Sequence, residues 1–404
     1  MLQFHDNPPL SLYIHLPWCV RKCPYCDFNS HAVTGEPLPE AEYLAALVRD
    51  LEFSLPQIWG RRITSIFIGG GTPSLFSGTA INELLSALHA RLNFNPAIEI
   101  TLEANPGTAD SEHFHDYRAT GVNRLSIGVQ SFSDEHLQSL GRIHDADAAR
   151  RAIDTARAAG FDNINLDLMF GLPGQTMNSA LQDLEIAIEP ALQHISWYQL
   201  TIEPNTVFYS RPPPLPDDDL VWEMQESGQA LLSQHGYEQY EVSAYASAGR
   251  RSRHNLNYWE FGDYLGIGAG AHSKITDVGN PCVRRFARHR MPAGYMQLAG
   301  TDAAVVSERT LSRNDLVVEF MLNALRLVHG FPPDLFTQRS GIPLYDIRTP
   351  LSDAEAREFI EWDIHKIAPT QHGRRYLNDL IACFMQDGKP RPESQPDTLP
   401  SGPA

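Results

Sequence analysis

The sequence predicts an α/β protein: an incomplete (β/α)6 barrel followed by a smaller, mostly helical unit. Three observations predict it. Short β-branched or aromatic runs alternate with stretches of helical periodicity through residues 1–240. About six such units recur, and repeated β–α units imply parallel strands joined by right-handed crossovers. Conspicuous polar residues then fall at the ends of the expected strands, which favours the barrel over the open doubly wound sheet that six units would also allow. In a barrel all those carboxyl ends face one mouth, where such folds build their sites. A buried strand has little other reason to end so often in an acid or amide.

The elements follow in order. SLYIHL (11–16) leads through a cysteine-bearing loop to a helix over about 40–55. SIFIG (65–69) precedes a helix at about 79–92, and IEITLE (98–103) precedes one near 110–120. After RLSIGVQ (124–130), the segment DADAARRAIDTARAAG (145–160) carries its apolar residues on one helical face and ends at Gly160, a plausible stop. NINLDLMF (163–170), HISWYQLTI (194–202) and YEQYEVSAY (237–245) are expected to continue the strands. RPPPLPDDD (211–219) reads as a stiff extended connection whose aspartates sit at the positive end of a following helix. The expected divisions are a core over 1–240, a connecting segment over 241–304, a helical C-terminal unit over 305–386 and a disordered Pro-rich tail over 387–404. The clearest C-terminal helices are LVVEFMLNALRLV (316–328) and DAEAREFIEWDI (353–364).

Bulk properties set the chemical context. The 404 residues carry 32 Lys+Arg against 49 Asp+Glu, a net charge of −17, with no basic run to offset it. Phosphate binding depends on clustered positive charge, so nucleic acid is not an expected partner. The opening MLQFHDNPPL has no basic and apolar leader, and no apolar run reaches the ~18 residues of a membrane span, so a cytoplasmic protein is expected.

Three of the five cysteines, Cys19, Cys23 and Cys26, lie in CVRKCPYCDF (19–28). In a reducing compartment such crowding argues for metal or redox chemistry rather than a disulfide scaffold. The isolated Cys282 and Cys383 read as ordinary small buried residues. A structural zinc site wants four ligands, usually as two separated pairs. Here there is one C-x3-C-x2-C group, which His15 or His31 would have to complete. An iron–sulfur cube is the alternative, since thiolates hold such clusters and three of them leave one iron open.

YIHLPWCVRKCPYC (13–26) resembles the signature of the radical S-adenosylmethionine (SAM) enzymes, and its Y-x-H-x-P-x-C lead-in resembles the coproporphyrinogen dehydrogenase (HemN) branch. GGGTPS (69–74), TLEANP (101–106), SIGVQSF (126–132), GRIHD (141–145) and DLMFGLPGQT (167–176) match in the same order, over roughly residues 10 to 380. The resemblance implies a partial barrel holding a [4Fe–4S] cluster on Cys19, Cys23 and Cys26, with SAM chelating the open iron through its amino and carboxylate groups. It further implies SAM contacts from Tyr13, Tyr25, Gly70, Gly71, Thr72, Glu103, Gln130, Arg142 and Asp167. Taken singly, a Gly-rich turn is only a turn, Arg142 a surface charge and Asp167 a helix cap. At successive strand ends they make a poor case for coincidence.

Three departures point away from the dehydrogenase activity. The resembled dehydrogenases carry another cysteine two residues after the third ligand, where this chain has Phe28, and a longer segment than the 18 residues that precede Cys19. RHNLNYW (253–259) contains H-N-x-x-Y-W, which resembles the heme-chaperone (HemW) branch and implies heme binding at His254, Tyr258 and Trp259. Imidazole is a common heme ligand and aromatic rings cover apolar macrocycles, although His272 and Cys282 stand near enough in sequence to serve as axial ligand instead. A His-Asn pair in isolation is more often a hydrogen-bonded core element. GIGAGA (266–271) lacks the strand–turn–helix setting of a dinucleotide fingerprint and reads as close backbone packing.

The expected function is therefore a heme chaperone that passes heme to heme-requiring, respiratory proteins and carries the cluster and SAM. The alternative is a coproporphyrinogen III dehydrogenase acting through a 5′-deoxyadenosyl radical. The same reading admits peripheral docking at the inner membrane and a homodimer.

Overall fold

A computed structural model describes residues 2–33, 37–107 and 113–385. The tail read as disordered, 387–404, lies outside the described residues, as do residues 110–112 at the start of the helix expected near 110–120. Six parallel strands form the centre: β1 (Leu10–Leu16), β2 (Arg62–Gly70), β3 (Asn93–Ala104), β4 (Arg124–Gln130), β5 (Ile164–Phe170) and β6 (His194–Gln199). They lie in sequence order, each bonded to the next. That order has no switch point, so every crossover packs its helix on the same face. A partial barrel results, rather than a doubly wound sheet.

Alternation along each strand explains why one face takes helices and the other a cavity. Leu12, Ile14, Ile66, Ile68, Leu102, Leu125, Ile127, Leu166 and Leu168 point outward into one apolar core with residues of the covering helices. Each fully buried aliphatic side chain of this kind contributes ~1.5–3 kcal/mol. The intervening positions, Ser11, Ser65, Glu99, Thr101, Arg124, Ser126, Asn165, Asp167, His194 and Ser196, are polar and equally buried. They line the concave inner face.

Helix boundaries follow local chemistry. Ser77, Asp145, Thr176 and Asp217 each accept from a first-turn backbone N–H as N-caps, with Asp218 and Asp219 following Asp217 in the first turn. Gly160, at φ +86°, ends the helix Ala146–Ala158 as expected.

The structure departs from expectation in three places. YEQYEVSAY is not a further parallel strand but a hairpin, β7 (Glu238–Glu241) and β8 (Ala244–Ala246), with β8 antiparallel to β6. The Ser243 amide donates to the Glu241 carboxylate across the turn. Residues 241–304, read as a connection, supply β9 (Asp263–Ile267), β10 (His272–Asp277) and β11 (Cys282–Arg288) to the same sheet. With β12 (Val305–Thr310), these extend it beyond β1: β9 pairs parallel with β1 and the rest antiparallel. Finally, 353–364 is not one helix. It stops at Ala356, Glu358 adopts φ +59°, and Ile360–Trp362 pairs with Ile367–Pro369, because Phe359 and Ile360 must reach the C-terminal core. That second core also holds Trp259 and Phe261, fastening the C-terminal helices to the segment that follows β8.

The helix Asp218–Gln234 packs onto β6 at Gly228, where an added methyl would overlap the rigid ring of the buried Trp197. Gly228→Ala should therefore destabilise the fold by a net ~1–2 kcal/mol despite its better helix propensity, read as a lower denaturation midpoint.

Candidate functional site

The cysteine loop leaves the carboxyl end of β1 and is closed at its base by a two-residue ladder in which Trp18–Cys19 pairs with His31–Ala32. His15 fixes the start of the loop: Nδ1 meets the Tyr13 hydroxyl and Nε2 meets the Asn29 carbonyl, both at 2.9 Å. Tyr43 ties the same point to the glycine-rich strand end, donating to the His15 carbonyl and accepting from the Ala269 amide. A Cβ on Gly268 would meet His15 and one on Gly270 would meet Asn29. GIGAGA is thus close backbone packing, as its sequence suggested.

Cys19, Cys23 and Cys26 line one cavity of about 390 Å³ together with Tyr25, Phe28, Gly70, Gly71, Thr72, Glu103, Gln130, Arg142 and Asp167. Of the residues expected to contact SAM, Tyr13 alone is not in that lining. Burial raises the Cys19 and Cys26 thiols above their ordinary range, while hydrogen bonding to Ser30 and the Lys22 charge pull the other way. Arg142 lies over the loop, with Nη1 3.7 Å from Cys23 Sγ and Nη2 donating to Asn105 Oδ1 and the Gly128 carbonyl. Its Nε is buried without a partner. Among the described residues no three His, Cys, Asp or Glu side chains converge on a single ion, and both nitrogens of His15 are occupied. His15 therefore does not complete a Cys3His zinc centre.

The cradle beside the thiols is backbone. Gly70 has φ +123°, and a Cβ there would press on His15 at 2.8 Å; one on Gly71 would strike the Trp18 carbonyl. Only glycine fits both the conformation and the space. The Gly70 amide donates to Glu103 Oε2 at 3.0 Å, and Thr72 Oγ1 accepts from Asn105. Gln130 ends β4 at φ +69°, an uncommon conformation for a residue with a side chain, and its amide oxygen accepts from Tyr198 at 2.8 Å.

Asp167 accepts from Ser126 at 3.0 Å and from Asn165 at 2.7 Å. Burial and the neighbouring Asp167 charge push Glu103 up to about 8; burial pushes Asp167 up to about 6, against the hydrogen bonds from Asn165 and Ser126. Free thiols, a glycine cradle, two buried carboxylates and a half-satisfied guanidinium suit a ligand that brings its own metal and hydrogen-bond donors. The chemistry of the donor set fits a thiolate-held cluster with SAM.

The H-N-x-x-Y-W motif forms the helix Arg253–Trp259, which rests on the amino-terminal part of the inner face. Its residues divide by helical spacing. His254 and Tyr258 face the strands: His254 is fully buried, with Nδ1 at 3.0 Å from Ser65 Oγ and Nε2 at 3.1 Å from the Tyr258 hydroxyl, and burial lowers its pKa to about 3. Asn255 and Trp259 face the cavity. Glu99 accepts from the Arg253 and His254 amides. The structure thus brings Trp259 to the cavity and leaves His254 and Tyr258 behind it.

Asn105, Ser126, Asn165, Ser196 and Tyr198 were not singled out in the sequence. Their signal was the polar–apolar alternation, broken only at positions such as Phe67 and Met169, inside strands that end in a site. Both inner carboxylates are held protonated above the range in which the unfolded chain ionises, around 4.5 for Glu and 3.8 for Asp. Their stabilising contribution is therefore full below about pH 4 and is lost as pH rises through about 6 and then about 8. Glu103→Gln should raise the melting temperature of the cofactor-free protein at pH 8.5, by an amount that shrinks towards zero at pH 4.5. A pH-independent difference would contradict the assignment.

Comparison with known proteins identifies the family. The radical SAM superfamily matches residues 13–187 and the HemN C-terminal domain matches residues 311–376. The chain is 49% identical to the heme chaperone HemW of Escherichia coli and 47% identical to that of Haemophilus influenzae, in each case over 94% of this chain and 99% of the relative. HemW of Bacillus subtilis is 39% identical over 93% of the chain. Among solved structures, the radical SAM enzyme coproporphyrinogen III oxidase (HemN) of E. coli superposes with a TM-score of 0.78 at 25% identity, covering 94% of this chain and 90% of that one. Near full-length identity at this level decides the matter: the chain belongs to the HemW family, within the radical SAM superfamily.

Proposed function

We propose that this protein is a heme chaperone that binds heme and passes it to heme-requiring proteins. The observation that carries the reading is its relation to heme chaperones along nearly the whole of both chains. Phe28, at the mouth of the cavity where the resembled dehydrogenases carry a cysteine, supports it.

Cys19, Cys23 and Cys26 would hold a [4Fe–4S] cluster, and SAM would occupy the open iron through its amino and carboxylate groups. When bound, the pair supplies one-electron chemistry or a redox-sensitive lock on the cavity. The chain's own residues orient and enclose: Gly70 and Gly71 admit backbone approach, Glu103 takes an N–H donor, and Asp167 takes hydroxyl donors. Gln130 and Arg142 close the sides, and Thr72 and Tyr25 cover the remainder. Tyr13 acts one step back, through His15.

The three heme-motif residues take different parts in this reading. Trp259 offers its ring to the cavity, while His254 and Tyr258 hold the helix that carries it. Acceptors would be respiratory proteins, reached from the cytoplasm. Among the described residues no helix is long and apolar enough to cross a membrane.

Heme titration of the anaerobically reconstituted protein, run beside an assay for protoporphyrinogen formation, tests the reading. Tight heme binding without turnover is expected; robust turnover would establish the dehydrogenase instead. Replacing Cys19, Cys23 or Cys26 with Ala should abolish bound iron and sulfide. His254→Ala should leave iron and sulfide intact and weaken heme binding about tenfold or more, because Ser65 and Tyr258 lose their common partner. Unchanged heme affinity in that variant would remove the motif from the account.

A further inference from the structure

The cavity has a second polar wall beyond the residues assigned above to the cluster and SAM. It is built from Glu241 and Ser243 at the β7–β8 turn, Asn255 and Trp259 on the motif helix, and Arg326 just beyond the helix Arg313–Ala324. Its hydrogen bonding is unbalanced. Trp259 Nε1, Arg326 Nε and Asn255 Oδ1 are buried without partners. Trp259 is 7% exposed and Asn255 6%, so water does not freely meet these needs. Indole and guanidinium groups only donate, so two donors of this wall stand without an acceptor. An amide can turn to add a third.

Arg326 is held for use. Its guanidinium lies over the Trp259 ring at 4.3 Å, and Nη2 donates to Glu241 Oε2 at 3.0 Å. The other Glu241 oxygen accepts from the Ser243 amide, so both oxygens of that buried carboxylate are engaged and it fixes one side of the guanidinium. Nε remains for a second acceptor. A planar, aromatic-backed guanidinium beside an indole N–H suits a carboxylate, which accepts two parallel hydrogen bonds.

We propose that Arg326, Trp259 and Asn255 form a carboxylate subsite that takes a propionate of the bound tetrapyrrole. The inference rests on the heme reading above. The methionyl carboxylate of SAM belongs to the open iron in that reading, which leaves this subsite to the second ligand. The macrocycle would lie along the apolar parts of the same wall, and Arg326 would set its orientation.

Optical titration of the reconstituted full chain with hemin and with hemin dimethyl ester tests this, since the ester keeps the macrocycle and lacks both anionic carboxylates. Wild type should prefer hemin about tenfold or more. Trp259→Phe keeps a ring under the guanidinium and removes the indole N–H, and should lower that preference. Arg326→Gln combined with Glu241→Gln, which avoids stranding a buried charge, should abolish the preference while leaving ester binding in place. Equal binding of both porphyrins by wild type, or full preference in these variants, would overturn the subsite and leave the heme reading standing. Failure of wild type to bind either porphyrin would overturn both.

Discussion

Everything in this protein depends on keeping a polar surface satisfied inside a barrel. Six parallel strands turn one side chain in two inward, and most of the inward ones are serines, asparagine, histidine, arginine and acids. A buried polar group without a partner costs ~1–3 kcal/mol, so such a face persists only if its members bond to one another or to a ligand. The lower part of the face is closed by the protein itself. The Ser252 amide donates to the Tyr240 hydroxyl, which meets His194 Nε2; His194 Nδ1 meets Asn165 Oδ1, and Asn165 Nδ2 donates to Asp167. Burial keeps His194 neutral, and the acceptor-only Asn165 oxygen places its proton on Nδ1. Every link then has a donor and an acceptor.

This chain of bonds joins two places that the sequence separates. Asp167 borders the cavity beside the cysteine loop, and Ser252 is the N-cap of the helix that presents Trp259. The helix is held a second time from the opposite side, through His254, Ser65 and Ser11. The upper part of the inner face is different: Glu103, Arg142 and the thiols keep unmet bonding capacity, and the charge pattern favours a ligand with donors on one side and metal on the other. Most of the floor is bonded within the protein, with Arg124 Nε and Thr101 Oγ1 the exceptions, and the larger unmet capacity at the mouth is what makes the mouth a site.

The fold was readable where local and long-range signals agreed. Strand–helix alternation located the six central strands, and the polar residues at their ends gave the barrel reading, because periodicity and burial both follow from the same sheet. It was not readable where a few residues decided the outcome. The β7–β8 hairpin turns on Val242 and Ser243 alone, and the break after Ala356 reflects the demand of the C-terminal core for Phe359 and Ile360. Strands β9 to β12 join beyond β1 through pairings that no local pattern encodes. For the site, the cysteine spacing and the strand-end residues gathered on one cavity, whereas Tyr13 and His254 stand behind it. Sequence placed the His-Asn-Tyr-Trp motif without saying which of its residues face the cavity; only the packing of the helix onto Ser65 and Glu99 separates them.

On the proposed reading, the mouth of this barrel would hold an open-iron cluster, with SAM bound beside Glu103 and Asp167. The most direct test is the electron paramagnetic resonance spectrum of the reduced, anaerobically reconstituted protein, recorded with and without SAM. A [4Fe–4S] signal that shifts on adding SAM, with the shift weakened by Asp167→Asn, is the predicted result. A protein that holds zinc instead of iron, or a cluster signal indifferent to SAM, would contradict the account.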